Sequence, residues 1–243
     1  MTATAMSPVP AEPDRVDQVT VSDGTFDLFT WLPAGGAGPG VLLLQEIFGV
    51  GSYIRSVATR LRDLGFVVAG PDLFWRHQRG WAPAHDEAGM AASFAMVQQA
   101  GGDPLIADSV AAMEVLAAAH EVTGRPGVLG FCLGGTLAWG VGLVGDPAWV
   151  VSYYGSGVPD ALDSLDRLAC PVLVHLGAAD DFFPPGGVDR VRAATAGLDR
   201  VTVRLHDAGH AFDNHDAPMF HDAAAASTAW AETVRFLATH APR

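Results

Sequence analysis

The alternation of apolar and polar positions divides the chain into short strands and longer helices. Gln18–Ser22 and Thr25–Leu32 carry β-forming residues on either side of Asp23-Gly24, a strong hairpin signal. Gly40–Leu44 is a solid apolar run, as expected of a strand buried on both faces. Ile54, Val57, Leu61 and Leu64 then recur at helical spacing, with Ser52 placed to cap the helix and Gly65 to end it. Phe66–Ala69 predicts another strand, stopped at Pro71. From Phe74 to Ala100 the chain is irregular and then helical, the expected place for an insertion over a site. Asp103-Pro104 opens a helix in cap–N1 order, with Leu105, Ser109, Met113 and Leu116 on one face. Val128–Phe131, Trp149–Tyr153, Pro171–Leu176 and Val201–Leu205 read as strands, separated by helices over Leu133–Leu143 and Val188–Leu198. Ala226–Leu237 closes the pattern with Trp230, Val234 and Leu237 on one face.

Strands alternating with helices predict an α/β architecture: a mainly parallel central sheet with helices on both faces. Residues 1–17, rich in Pro, Ala and acid, are expected to form a flexible arm, and 18–243 a single domain without repeat or linker. Sites in such sheets lie at the carboxyl ends of strands.

Composition narrows the function classes. With 49% hydrophobic and 17% charged residues, the 243-residue chain suits a folded globular protein. A formal net charge of −13 argues against nucleic-acid and anionic-membrane binding. Two cysteines are too few for a disulfide framework, and no window approaches a membrane span. Met1–Arg15 has neither a basic nor an apolar region of a signal peptide, so the cytoplasm is the expectation. A monomer is expected, although no residue pattern reads the oligomeric state.

The most informative stretch is Gly127–Trp139, GVLGFCLGGTLAW. Gly130, Cys132 and Gly134 form G-x-C-x-G between a strand and a helix, the pattern of a nucleophile elbow with Cys in place of Ser. Free N–H groups at the start of the Leu133 helix would favour the thiolate. An elbow hydrolase takes its acid and then its base later in the chain. Asp180 or Asp181 follows the strand PVLVHL, and His210 follows VTVRL, so a Cys–His–Asp triad is legible in order. His175, His206 and Asp207 read as structural.

QEIFGV (Gln45–Val50), PDLFWR (Pro71–Arg76), GFCLGG (Gly130–Gly135), YYG (Tyr153–Gly155), HLGAADDFFP (His175–Pro184) and AGHAF (Ala208–Phe212) resemble the dienelactone hydrolase family over nearly the whole chain. The resemblance implies an α/β-hydrolase fold with Cys132 as nucleophile, His210 as base and Asp180 as orienting acid. Asp180 is favoured over Asp181 because the family acid is followed by one residue and then Phe-x-Pro. The resemblance further implies that Glu46 contacts the Cys132 thiol and helps to remove its proton, and that Arg76 holds a substrate carboxylate. Ile47 and Leu133 stand where such folds supply the two oxyanion-hole N–H groups. A second family arginine, four residues after the histidine, is Asn214 here, and the Ser directly after the histidine is Ala211. Asn214, Tyr154 and Phe48 are the remaining expected substrate contacts, with Trp75, Trp81 and Phe182 as possible apolar walls. The expected activity is hydrolysis of a dienelactone-like enol lactone or an activated ester, without metal or cofactor. A broad thiol esterase for uncharged esters and a non-catalytic, redox-responsive binding protein are the alternatives.

Overall fold

The computed structural model describes residues 10–241. Eight strands form one sheet in the order β1-β2-β4-β3-β5-β6-β7-β8. They are β1 (Arg15–Val21), β2 (Gly24–Trp31), β3 (Gly38–Leu44), β4 (Val67–Pro71), β5 (Val122–Phe131), β6 (Val150–Tyr153), β7 (Val172–Gly177) and β8 (Val201–His206). β2 pairs antiparallel with both β1 and β4, and β3 to β8 run parallel to β4. The predicted hairpin is the β1–β2 turn, where Val21 pairs with Gly24.

Six helices follow in chain order: α1 (Ser52–Asp63), α2 (Glu87–Ala100), α3 (Gly102–Ala118), α4 (Leu133–Val144), α5 (Gly187–Thr195) and α6 (Ala223–His240). Successive strand residues face opposite sides, so the sheet carries two cores. Leu42, Leu44 and Val128 join α3, α4 and Val191 of α5 on one side. Val41, Leu43 and Leu129 join Ile54, Val57 and Leu61 of α1 and Ala229 and Leu237 of α6 on the other. Central strands buried on both faces explain the unbroken apolar run at Gly40–Leu44.

Several sequence expectations are corrected. The arm expected over 1–17 lies partly outside the described residues, and its inner end is ordered: Arg15–Asp17 open β1, and the Asp14 N–H bonds the Thr30 carbonyl. Ser52 does not cap α1. Its N-cap is Gly51, and the Ser52 hydroxyl bonds Asp216 instead. α3 begins at Gly102, one residue before the expected Asp103 cap, because Gly101 (φ 71°) alone turns the chain from α2. The turn-rich stretch after β6 forms a 3-10 segment over Val158–Arg167. Among the described residues, no helix is long and apolar enough to cross a membrane.

Candidate active site

The carboxyl ends of β3, β5, β7 and β8 converge. Cys132 lies between β5 and α4 with φ 53° and ψ −114°, a conformation that L-residues rarely adopt. Its N–H is anchored on the Tyr153 carbonyl at 3.0 Å. The flanking glycines are sterically required. A Cβ on Gly130 would lie 2.0 Å from the Gly134 carbonyl oxygen, and one on Gly134 would lie 2.3 Å from that of Leu44. Strand and helix therefore cross at backbone contact, which is why the elbow needs glycine on both sides. Tyr154 (φ 38°) and Ala211 (φ 50°) also have positive φ. Strain of roughly 1–3 kcal/mol per residue is thus gathered around one centre, as functional sites commonly show.

His210 follows β8 and places Nε2 3.1 Å from Cys132 Sγ. Its Nδ1 faces both oxygens of Asp180, at 3.0 and 2.9 Å. Asp180 is buried and Asp181 exposed, so Asp180 is the carboxylate brought to the histidine. Asp180 Oδ1 is also held by the Phe182 N–H at 2.9 Å. The Phe182 ring stacks on His210 at 4.2 Å. Burial alone lowers the imidazole pKa, but Cys132 and Asp180 outweigh it and raise His210 to about 10.

Glu46, after β3, is buried, and its carboxyl is not bonded to the thiol as expected. Asn214 Nδ2 donates to Oε2 at 2.5 Å and the Tyr154 hydroxyl to Oε1 at 3.4 Å. Burial raises this carboxyl to about 7, against the His210 charge and the Asn214 hydrogen bond. Behind it, Tyr154 lies 3.3 Å from the Tyr53 hydroxyl, which donates to Asp213 at 2.8 Å. Arg60 reaches the same Asp213 oxygen at 3.3 Å. Burial lifts both tyrosines well above the ordinary phenol range, so they remain donors. Sequence reasoning missed Tyr53, Asp213 and Arg60 in this chain. Tyr154, expected against substrate, is fully buried and supports Glu46 instead.

The cavity beside Sγ is about 30 Å³, lined by Glu46, Ile47, Phe48, Met90, Phe94, Cys132, Phe182, His210, Ala211, Asn214, Ala217 and Phe220. Ile47, Phe48 and Asn214 are thus part of the cavity wall. Leu133 is the first residue of α4, whose N–H has no intrahelical acceptor. Trp81 donates from Nε1 to the Ile47 carbonyl at 3.1 Å, steadying that loop from outside the cavity. Met90 and Phe94 come from α2, the segment expected over the site, but nothing in the sequence marked those two side chains. Phe94 stacks on Phe182 with ring centres 6.2 Å apart.

Arg76 is the main correction. Its guanidinium grips Asp23 at 2.7 and 2.9 Å, pairs with Asp108, and lies over the Trp75 ring. Two carboxylates take four of its five N–H donors, and it is not among the cavity residues. Trp75 likewise serves this cluster, donating to Asp108 at 2.9 Å.

An eight-stranded, mostly parallel sheet with a strained residue at a strand–helix elbow defines an α/β-hydrolase. The sequence profile of the dienelactone hydrolase family matches residues 26–241, and the chain belongs to that family as a dienelactone hydrolase-type enzyme. It is 33% identical over 215 residues to the carboxymethylenebutenolidase of Pseudomonas sp. (strain P51), covering 88% of this chain and 90% of that one. Carboxymethylenebutenolidase 1 of Cupriavidus pinatubonensis is 28% identical, covering 93% and 96%. Among solved structures, a dienelactone hydrolase-like promiscuous phosphotriesterase from metagenomic libraries superposes with TM-score 0.80 at 24% identity, covering 94% of this chain and 98% of that chain.

Proposed function

We propose that the protein hydrolyses lactones or activated esters through a Cys132–His210–Asp180 triad and an acyl-enzyme. The observation that carries this reading is the continuous contact from Asp180 through His210 to a sulfur held at an elbow. His210 Nε2 takes the thiol proton, and Sγ attacks the carbonyl carbon. The N–H groups of Ile47 and Leu133 receive the oxyanion. The C–O bond breaks as His210 returns the proton to the departing oxygen. Water, deprotonated by His210, then cleaves the thioester, and the sulfur regains its proton. Asp180 keeps the imidazole in the tautomer with Nε2 facing sulfur. Glu46 acts beside this pair as a carboxyl poised near neutrality, available to exchange its proton when substrate displaces the resting contacts.

The substrate reading shifts with Arg76. Among the described residues, no Lys or Arg lines the cavity, and its polar groups are Glu46 and Asn214 besides Cys132 and His210. An anionic lactone would meet no guanidinium or ammonium, only the His210 imidazole committed to Cys132 and Asp180, and an ionisable carboxyl, so uncharged esters with apolar or aromatic acyl groups fit this wall better.

The test is hydrolysis of an uncharged aryl ester by wild type and Cys132→Ala. Loss of activity in the variant, with a thioester adduct on Cys132 trapped in wild type by mass spectrometry, supports the reading. Full turnover after quantitative alkylation of Cys132 refutes it.

A further inference from the structure

On the α6 side of the sheet, the ends of β7 and β8 bring together two histidines that the hydrolytic chemistry does not use. His175 on β7 is fully buried, and His206 closes β8 and is 6% exposed. His175 Nδ1 and His206 Nε2 face one another at 2.9 Å. Glu232, from α6, points its Oε2 at the pair, 3.9 Å from His175 Nδ1. The other oxygen, Oε1, is held by Arg204 Nε at 3.2 Å. Glu232 Oε2 itself is buried without a hydrogen-bond partner. The three ligand atoms all lie within 4.8 Å of one another.

We propose that His175 Nδ1, His206 Nε2 and Glu232 Oε2 form a zinc site that ties the last two strands of the sheet to α6. Two imidazoles and one carboxylate are a ligand set that Zn²⁺ takes readily, with water as the fourth ligand. Zinc–ligand bonds of roughly 2.0–2.1 Å at tetrahedral angles separate neighbouring ligand atoms by about 3.4 Å. The separations of 2.9 and 3.9 Å bracket that value, and His206 Nε2 and Glu232 Oε2 lie within 4.8 Å, so side-chain shifts of about 1 Å complete the geometry.

Outer partners are already in place. His175 Nε2 lies 3.0 Å from Thr233 Oγ1, which is 2.6 Å from the Tyr153 hydroxyl. That contact orients the ring with Nδ1 toward the metal, as ligating histidines usually require. Arg204 does the same for Glu232 by occupying Oε1. Without metal, one proton shared between the two ring nitrogens satisfies both histidines but leaves Glu232 Oε2 unpaired, which is costly in a buried place. A zinc ion partners all three atoms, and the shared proton moves to a ring nitrogen turned away from the metal, so that both imidazoles bind in their neutral form. Glu232 is partly exposed and gives the ion its way in.

The experiment uses the full chain carrying Cys132→Ala, since the triad's thiol and imidazole would also bind zinc. After chelation and dialysis, Zn²⁺ is titrated calorimetrically and Co²⁺ by absorption. One equivalent of each is expected. Cobalt should show the visible bands of a tetrahedral nitrogen–oxygen site and no thiolate charge-transfer band. Zinc should raise the unfolding temperature. Adding Glu232→Ala, on a helix surface where truncation spares the fold, should weaken zinc by at least the ~10–100-fold typical of losing an outer-shell partner. His206→Ala should act similarly, with circular dichroism verifying the fold of both. Absence of saturable uptake, or uptake indifferent to both changes, overturns the proposal.

Discussion

Replacing Glu46 with glutamine isolates the effect of one buried charge. Gln keeps the shape: its carbonyl oxygen accepts from Asn214 where Oε2 does now, and its amide faces the Tyr154 hydroxyl. In wild type, burial lifts the carboxyl from an ordinary 4.5 to about 7. That rise of about 2.5, at roughly 1.4 kcal/mol each, corresponds to about 3 kcal/mol. The sign follows from the raised value. Below pH 4.5 the group is neutral folded and unfolded, and its contribution to stability is fully present. As pH rises to 7 the unfolded chain ionises while the folded one resists, so stability is lost; above 7 the loss is complete. Glutamine has no proton to lose. The variant should therefore match wild type at low pH and exceed it by up to about 3 kcal/mol at pH 8, or roughly 6–12 °C in Tm for a chain of this size. Thermal unfolding of both proteins from pH 4 to 9 measures the difference, in which titrations not coupled to Glu46 cancel. A difference that does not change with pH, or a wild type that is the more stable at pH 8, refutes the account. Activity separates the two roles of the residue: if Glu46 exchanges a proton with the reacting pair, kcat/KM on an aryl ester falls even as Tm rises.

Three further outcomes follow from the geometry. Asp180→Asn should lower kcat by roughly 10⁴-fold, because the imidazole is left in the wrong tautomer, whereas the exposed Asp181→Asn should stay within a few-fold of wild type; the reverse ranking in a steady-state assay would reassign the acid. Arg76→Ala should cost about 1–3 kcal/mol in denaturant unfolding by stripping a charged partner from buried Asp108, yet leave the ratio of kcat/KM for a neutral ester and a carboxylate lactone unchanged. A selective loss on the carboxylate substrate would restore Arg76 to substrate binding. Phe94→Ala should remove the ring stacked on Phe182 and widen the small cavity, raising kcat/KM for bulky aryl esters relative to acetate esters; equal changes for both would show that α2 does not limit access.

The elements and their order were legible because local chemistry decides them. Apolar periodicity placed the strands and helices, Asp23-Gly24 marked the hairpin, and the glycines around Cys132 marked an elbow that tolerates no Cβ. The order Cys132, Asp180 or Asp181, His210 was readable because each residue follows a strand, and parallel strands deliver their ends to one edge; burial of Asp180 beside His210 separates the two carboxylates only in the packed structure. Side-chain partners were another matter. Arg76 follows a site strand, and only the packed structure shows it spent on Asp23 and Asp108, 53 and 32 residues away in sequence. Tyr53 meets Asp213 across 160 residues, and Asn214 meets Glu46 across 168. His175 and His206 look unremarkable along the chain until β7 pairs with β8 and α6 brings Glu232 over them. A backbone pattern needs only its neighbours to be specified. A charged or polar side chain takes whichever partner the finished packing leaves within about 3 Å, and that choice exists only once the whole sheet has formed.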